Sequence, residues 1–205
     1  TLLREPVSVL KQWYYRSGEA SVATTLAVEW GQRLLPAIRK TGAEAGKNTD
    51  FVALTQYFAG QSSGETLLIP LYETTRDLKK RFGDWQIPWG ELNRFQRISS
   101  DIKYTFDDSK PSIPIGYVSS TWGMLPAYIS RSFPNTKKRY GEHGNSFVCA
   151  VEFGKKVKAK SLLAGGQSGE EHSKHFFNQA EMYRQGQFKE VLFYKEDVLK
   201  NAEES

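Results

Sequence analysis

Residues 146–153 read SFVCAVEF, with Val148, Cys149, Ala150 and Val151 in unbroken apolar succession. Successive side chains of a strand point to opposite faces, so a strand of this composition is apolar on both. A strand covered on both sides has that character. Gly154 follows, and then KKVKAK, where Lys156, Lys158 and Lys160 alternate with Val157 and Ala159. That alternation is the pattern of a strand around 156–163 with one face in water. The tight spacing makes the two an antiparallel hairpin. A fold for this chain must therefore bury one strand fully beside a neighbour that is wetted on one side. Its 205 residues suit one large domain or two small ones, and a fold of that size buries roughly 70% of its extended surface. Apolar residues at 39% and charged residues at 25% give an ordinary globular balance.

The rest of the chain divides near residue 92. Residues 1–92 read as mainly helical. Pro6 fits a first helical position, with Val7, Leu10, Trp13 and Tyr14 on one face. A second helix follows Ser17-Gly18, carrying Val22, Leu26, Trp30 and Arg33, and Pro36 is expected to end or kink it. TGAEAGKNTD (41–50) reads as a surface loop and 51–58 as a short helix. Leu68, Leu71, Thr75, Leu78 and Phe82 mark the clearest helix, capped by Gly83, with Pro70 placing its start near 66–70. Residues 93–205 read as strand-rich. Strands are expected at 94–99 and 113–119 around a DDSKPS turn, then the hairpin, then a loop GGQSGEEHS. One long helix is expected near 174–185, with Phe176, Ala180 and Tyr183 inward and Gly186 as its stop. FKEVLFY (188–194) is a last strand and EDVLKNAEE a short terminal helix. The fold class is α+β: a helical first half, then antiparallel strands and a helix.

The stretch GGQSGEEHSKHFFNQ concentrates polar chemistry. Ser168 sits in G-Q-S-G-E, close to a nucleophile elbow but lacking its final glycine and the immediate helix the elbow needs. His172 and His175 are three apart beside Glu170 and Glu171, but Ser173 reads as a helix cap that puts His172 outside the helix. The remaining histidine, His143, lies in a separate loop, so the reading is no metal site. Thr1 has the form of a terminal nucleophile that uses its own amine as base, yet TLLREP leads straight into a helix rather than a central strand. The single cysteine, Cys149, excludes an internal disulfide and reads as a small buried residue. The net charge of +5 gathers at Lys137–Arg139 and Lys155–Lys160, against an acidic 196–205 tail. No nucleic-acid module accompanies those clusters, and no apolar run reaches the ~20 residues of a membrane span. The expectation is no nucleic-acid or membrane partner, and no signal peptide opens the sequence.

Three segments together carry a resemblance. YGEHGNSFVCAVEFGKKVKAKSLLAGGQSGEEHSKHFFNQAEMYRQGQFKEVLFYKEDV resembles the carboxyl end of the penicillin acylase family: a Gly-Asn-Ser-Phe strand, a hairpin, a GQS loop, a Ser-x-His-aromatic-x-x-Gln segment and a closing strand. FGDWQIPWGELNRFQR is similar to the family's Phe-Gly…Pro-Trp-Gly segment with its following arginine. LKQWYYRSGEASVATTLAVEW is similar to the family's opening Leu-x-x-Trp…Ser region. The order and spacing of the three are more specific than any one alone. The nearest flavour is the branch that cleaves long-chain amides, the acyl-homoserine-lactone and aculeacin acylases.

The resemblance implies a C-terminal fragment of the large subunit of an N-terminal-nucleophile hydrolase with an α/β/β/α sandwich. Such enzymes use a serine freed at the start of the large subunit, with an oxyanion-hole asparagine and its neighbouring arginine in that subunit's first half. None of those motifs occurs here, so the implied catalytic set in this chain is empty and the implied role is scaffold. No cofactor is implied. The implied partners are the small subunit and the first part of the large subunit of the same precursor, with possible self-association of the isolated chain. The implied location is periplasmic or secreted. Gly165, Gly166 and Gly169 are expected to permit unusual backbone angles, and Gln167 and Ser168 are the loop candidates for substrate contact. The alternative is a stand-alone, non-enzymatic binding module that reuses the acylase architecture.

Overall fold

The computed structural model describes residues 2–44, 46, 50–98 and 105–202. Thr1 and Ser99 lie outside them, as does the far end of the acidic tail. The order is α1 (Arg4–Lys11), α2 (Val22–Glu44), α3 (Phe51–Gln61), α4 (Gly64–Phe82), a short α5 (Trp89–Leu92), β1 (Asn93–Phe95) and β2 (Ile113–Pro114). Then come β3 (Tyr128–Ser132), β4 (Arg139–Gly144), β5 (Phe147–Glu152), β6 (Lys158–Leu163), α6 (Ala180–Gln185), β7 (Lys189–Val191) and α7 (Lys195–Lys200). The fold is mixed α+β, with helices alone up to Leu92 and, from Asn93, strands joined by α6 and α7.

Local signals set most helix ends. Asp50 caps α3, its carboxylate accepting from the Val52 and Ala53 N–H groups at 2.8 and 3.0 Å. The Ser63 hydroxyl accepts from the Thr66 N–H at the start of α4, and Gly83 ends that helix with φ +90°. The prolines behave otherwise than expected. Pro6 is the third residue of α1, where its missing N–H is equally harmless. Pro36 and Pro70 lie inside α2 and α4, so α2 runs on to Glu44 through the first part of the expected loop, and α4 starts at Gly64. Each proline removes one helical hydrogen bond. Packing holds the helix regardless: Leu34, Leu35 and Ile38 flank Pro36 and are all buried. Leu68 is exposed, and the inward face of α4 is Leu71, Thr74, Thr75 and Leu78.

Two sheets follow. The first has the order β2-β1-β4-β3 and the second β5-β6-β7. The β1–β4 pair is parallel, Asn93 opposite Arg139, so the strands are not uniformly antiparallel. β1 and β2 are shorter than the sequence suggests because side chains take over the ladder. Gln96 Nε2 donates to the Asp107 carbonyl at 2.9 Å, and the Asp107 N–H returns a bond to Gln96 Oε1 at 3.0 Å. The fully buried Asn93 donates from Nδ2 to the Ile115 and Tyr117 carbonyls. The hairpin is as expected, Phe147 opposite Leu163 and Glu152 opposite Lys158.

Three cores hold these parts together. Leu26, Val28, Leu78, Trp89, Leu92 and Val118 join α2, α4 and α5. Leu34, Ile38 and Phe58 join α2 to α3. Ile115, Tyr128, Leu162 and Tyr183 seat α6 against both sheets. Polar contacts also bridge the halves. Glu29 on α2 receives Arg139 Nη1 at 2.7 Å and Arg81 Nη2 at 2.8 Å, with the Glu29 and Arg139 side chains each 11% exposed. Arg184 on α6 reaches back to Glu19, Nη2 to Oε2 at 2.7 Å.

Candidate functional site

The loop after β6 is a strap fixed by Arg97. Its Nη1 donates to the Gly166 carbonyl at 3.3 Å and its Nη2 to the Ser168 carbonyl at 2.9 Å. The guanidinium lies 4.3 Å over the Phe176 ring, a cation–π contact. Burial lowers the Arg97 pKa from its usual value. The strap closes on itself: the Ser168 N–H donates to the His175 carbonyl at 3.2 Å and the Gln179 N–H to the Gly165 carbonyl at 2.8 Å. Those bonds explain why the long helix near 174–185 is only Ala180–Gln185. The 175 carbonyl and the 179 amide are committed to residues 165–168, so 173–179 runs as turns. The Ser173 hydroxyl accepts from the His175 N–H at 3.1 Å, a local turn rather than a helix cap.

Gly165 and Gly166 serve proximity, not unusual angles. None of Gly165, Gly166 and Gly169 has positive φ. A Cβ at Gly166 would sit 2.1 Å from the His175 oxygen, and one at Gly165 would sit 3.0 Å from Arg97 Nη1. Gly169 has open space around it.

Ser168 and Gln167 sit at the strap's turn. The Ser168 hydroxyl accepts from the Glu170 N–H at 3.0 Å, and Gln167 is exposed. Ser168 is not on a strand-to-helix elbow, since β6 ends at Leu163 and α6 begins at Ala180. His175 Nδ1 faces Asn178 Nδ2 at 3.3 Å, His172 is exposed, and His143 lies beside Glu142 on β4. No three His, Cys, Asp or Glu among the described residues gather as a metal site.

The second sheet has two unlike faces. Directly opposed residues share a face, so Val148, Ala150 and Glu152 go with Leu162, Lys160 and Lys158. At one end of that face Leu162 packs on Tyr183; at the other, Lys158 pairs with Glu152 and Lys160 with Glu190. The opposite face holds Phe147, Cys149 and Val151, continued by Phe153, and no described residue covers it. Phe147 is 57% exposed and Phe153 84%, and Phe193, which follows β7, is 75% exposed. Cys149 is exposed, contrary to the buried reading. The sequence pattern was that of a buried strand; its cover on this face is not among the described residues.

The basic clusters are partly paired within the chain. Arg139 is buried on Glu29, and Lys156 pairs with Asp197 at 2.5 Å and Glu196 at 3.7 Å. The lysines of β6 do face water. Sequence reading did not anticipate the anchoring role of Arg97, although it closes the quoted FGDWQIPWGELNRFQR segment. The Glu19–Arg184 pair had no sequence signal, because its partners are 165 positions apart.

Among the described residues no helix is long and apolar enough to cross a membrane. No curated relative matches the chain. The family model described as penicillin amidase matches residues 1–200, thus covering the helical half, the strap and the open-faced sheet together. The chain belongs to the penicillin amidase family.

Proposed function

We propose that this chain is the C-terminal structural portion of an amidohydrolase that splits the amide bond of acylated small molecules, such as acyl-homoserine lactones, penicillins or acyl-peptides. The family match over residues 1–200 supports the amidohydrolase class. One observation carries the scaffold role: the uncovered apolar face of Phe147, Cys149, Val151 and Phe153. Burying a phenylalanine or valine contributes about 1.5–3 kcal/mol, so this face favours a covering layer. The remainder of the same precursor, its small subunit and the first part of its large subunit, supplies that layer in this reading.

The nucleophile belongs to that remainder: a terminal serine that forms an acyl-enzyme, with the oxyanion held by backbone and asparagine donors. This chain contributes no catalytic residue and the reading requires no cofactor. Its Arg97-anchored strap keeps Gln167 and Ser168 in place as the loop candidates for contact with the acyl group. The parent enzyme is periplasmic or secreted in the same reading. The test is to offer acyl-homoserine lactones and chromogenic penicillin-type amides to this chain alone, and to the chain together with the rest of its precursor. Turnover is expected only in the second case. Turnover by the chain alone that is abolished by Thr1→Ala overturns the scaffold role.

A further inference from the structure

Two clefts meet at Tyr183. One, of about 380 Å³, is walled by Phe95, Tyr128 and Ala164. The other, of about 430 Å³, lies against Val148, Leu162 and Phe188. Tyr183 and Asn145 line both. Each has the size of a small-molecule site and a mainly apolar wall, with Glu142, His143 and Ser146 along one side of the first.

The shared wall carries two donors without a partner among the described residues, the buried Tyr183 hydroxyl and the NH2 of the exposed Asn145. Buried tyrosine hydroxyls ordinarily find a partner. Tyr117 donates to the Tyr183 carbonyl, Tyr128 to the Arg94 carbonyl and Tyr140 to Asp108 Oδ1, each at 2.8 Å. Tyr183 is the exception. Its side chain is 1% exposed, and among the described residues nothing hydrogen-bonds to its hydroxyl. Burial, aided by the nearby Tyr117, raises its pKa, so it stays protonated. Asn145 Oδ1 accepts from the Ala127 N–H at 2.7 Å, which fixes the amide's orientation and leaves its NH2 as a second donor. Glu142 also lines the first cleft but is already paired with Arg131, so the preference for a neutral ligand rests on the apolar walls, which penalise burial of an anion.

We propose that the joined clefts bind a small neutral molecule with an apolar chain or ring and one carbonyl oxygen, which accepts from the Tyr183 hydroxyl and the Asn145 amide. The apolar part lies along Phe95 and Tyr128, in the first cleft. The inference uses only groups of this chain, although Phe147 and Cys149 of the open sheet face also line the second cleft.

Titration calorimetry of the chain with N-methylhexanamide tests it, with hexanoate as the anionic control. Saturable one-site binding of the amide is expected, and weaker binding of hexanoate. Tyr183→Phe removes a single oxygen and should weaken the amide about five- to tenfold, the worth of one hydrogen bond. Ser146→Trp, at an exposed position on the rim of the first cleft, should block entry and abolish binding while the melting transition stays intact. Absence of saturable binding by the unaltered chain, equal affinity for hexanoate, or undiminished affinity in Tyr183→Phe each overturns the proposal. If Tyr183→Phe does not fold, Ser146→Trp decides: retained binding overturns it and lost binding supports it.

Discussion

Alanine at Gly166 measures how firmly the strap is held. The new Cβ would lie 2.1 Å from the His175 oxygen, 2.8 Å from the Phe176 oxygen and 2.9 Å from Asn178 Oδ1. The first two are backbone atoms, so no change of rotamer relieves them. Restoring ordinary contact moves the 175 carbonyl by more than about 1 Å, beyond the 2.7–3.2 Å range that an N–H···O bond tolerates. Three bonds are then released: Ser168 N–H to His175 at 3.2 Å, and the two from Arg97 at 3.3 and 2.9 Å. At about 1 kcal/mol net for each bond, less the entropy regained by a loosened loop, the loss is roughly 2–3 kcal/mol. For a chain of this length that lowers the melting temperature by about 4–12 °C. Gly169→Ala is the internal control. Nothing lies within 4 Å of its Cβ position, so the change stays within about 0.5 kcal/mol. Urea unfolding followed by circular dichroism supplies both values, and hydrogen exchange at the Ser168 and Gln179 amides reports the strap directly. Equal losses in the two variants, or a loss below about 0.5 kcal/mol in Gly166→Ala, would refute the reasoning.

Alkaline pH should destabilise the fold through its buried phenols. Burial raises the pKa values of Tyr128, Tyr140 and Tyr183 above the ordinary phenol value of about 10. Above that pH the unfolded chain has released protons that the folded chain retains, so stability is complete below it and falls as pH rises further. The urea midpoint should be level up to about pH 9 and drop beyond pH 10; a level profile through pH 11 contradicts the burial of these hydroxyls. At the open sheet face, Phe153→Lys with Phe193→Lys should shift the isolated chain towards monomer in light scattering, while its urea midpoint is nearly unchanged, since both rings are exposed. Association as strong as in the unaltered chain would mean that this face is not what brings copies together.

What was legible in the sequence was local. Gly83 and Gly186 end helices in left-handed conformation because each acts on its own turn. The β5–β6 hairpin follows from the alternation of Lys158 and Lys160 with Ala159. The prolines misled because a missing N–H is one bond, and burial of Leu34, Leu35 and Ile38 outweighs it. The expected helix near 174–185 was lost to bonds reaching back ten residues or so, which periodicity does not encode. The exposure of Cys149 was illegible for a different reason. Strand composition reports what a strand is suited to lie against, not whether that layer is in the same stretch of chain. At the candidate site, Ser168 and Gln167 were placed on the right loop, but Arg97, which holds that loop, became visible only in three dimensions.

The Glu19–Arg184 pair also sets an order of events. The two residues are 165 positions apart. At about 5–20 residues per second of synthesis, Glu19 is made roughly 8–33 seconds before its partner. Helices α2 to α4 are made in that interval with an acidic side chain still unclasped. Closure of this pair therefore waits until residue 184 has been made, and a chain cut short before that residue would leave Glu19 without its partner.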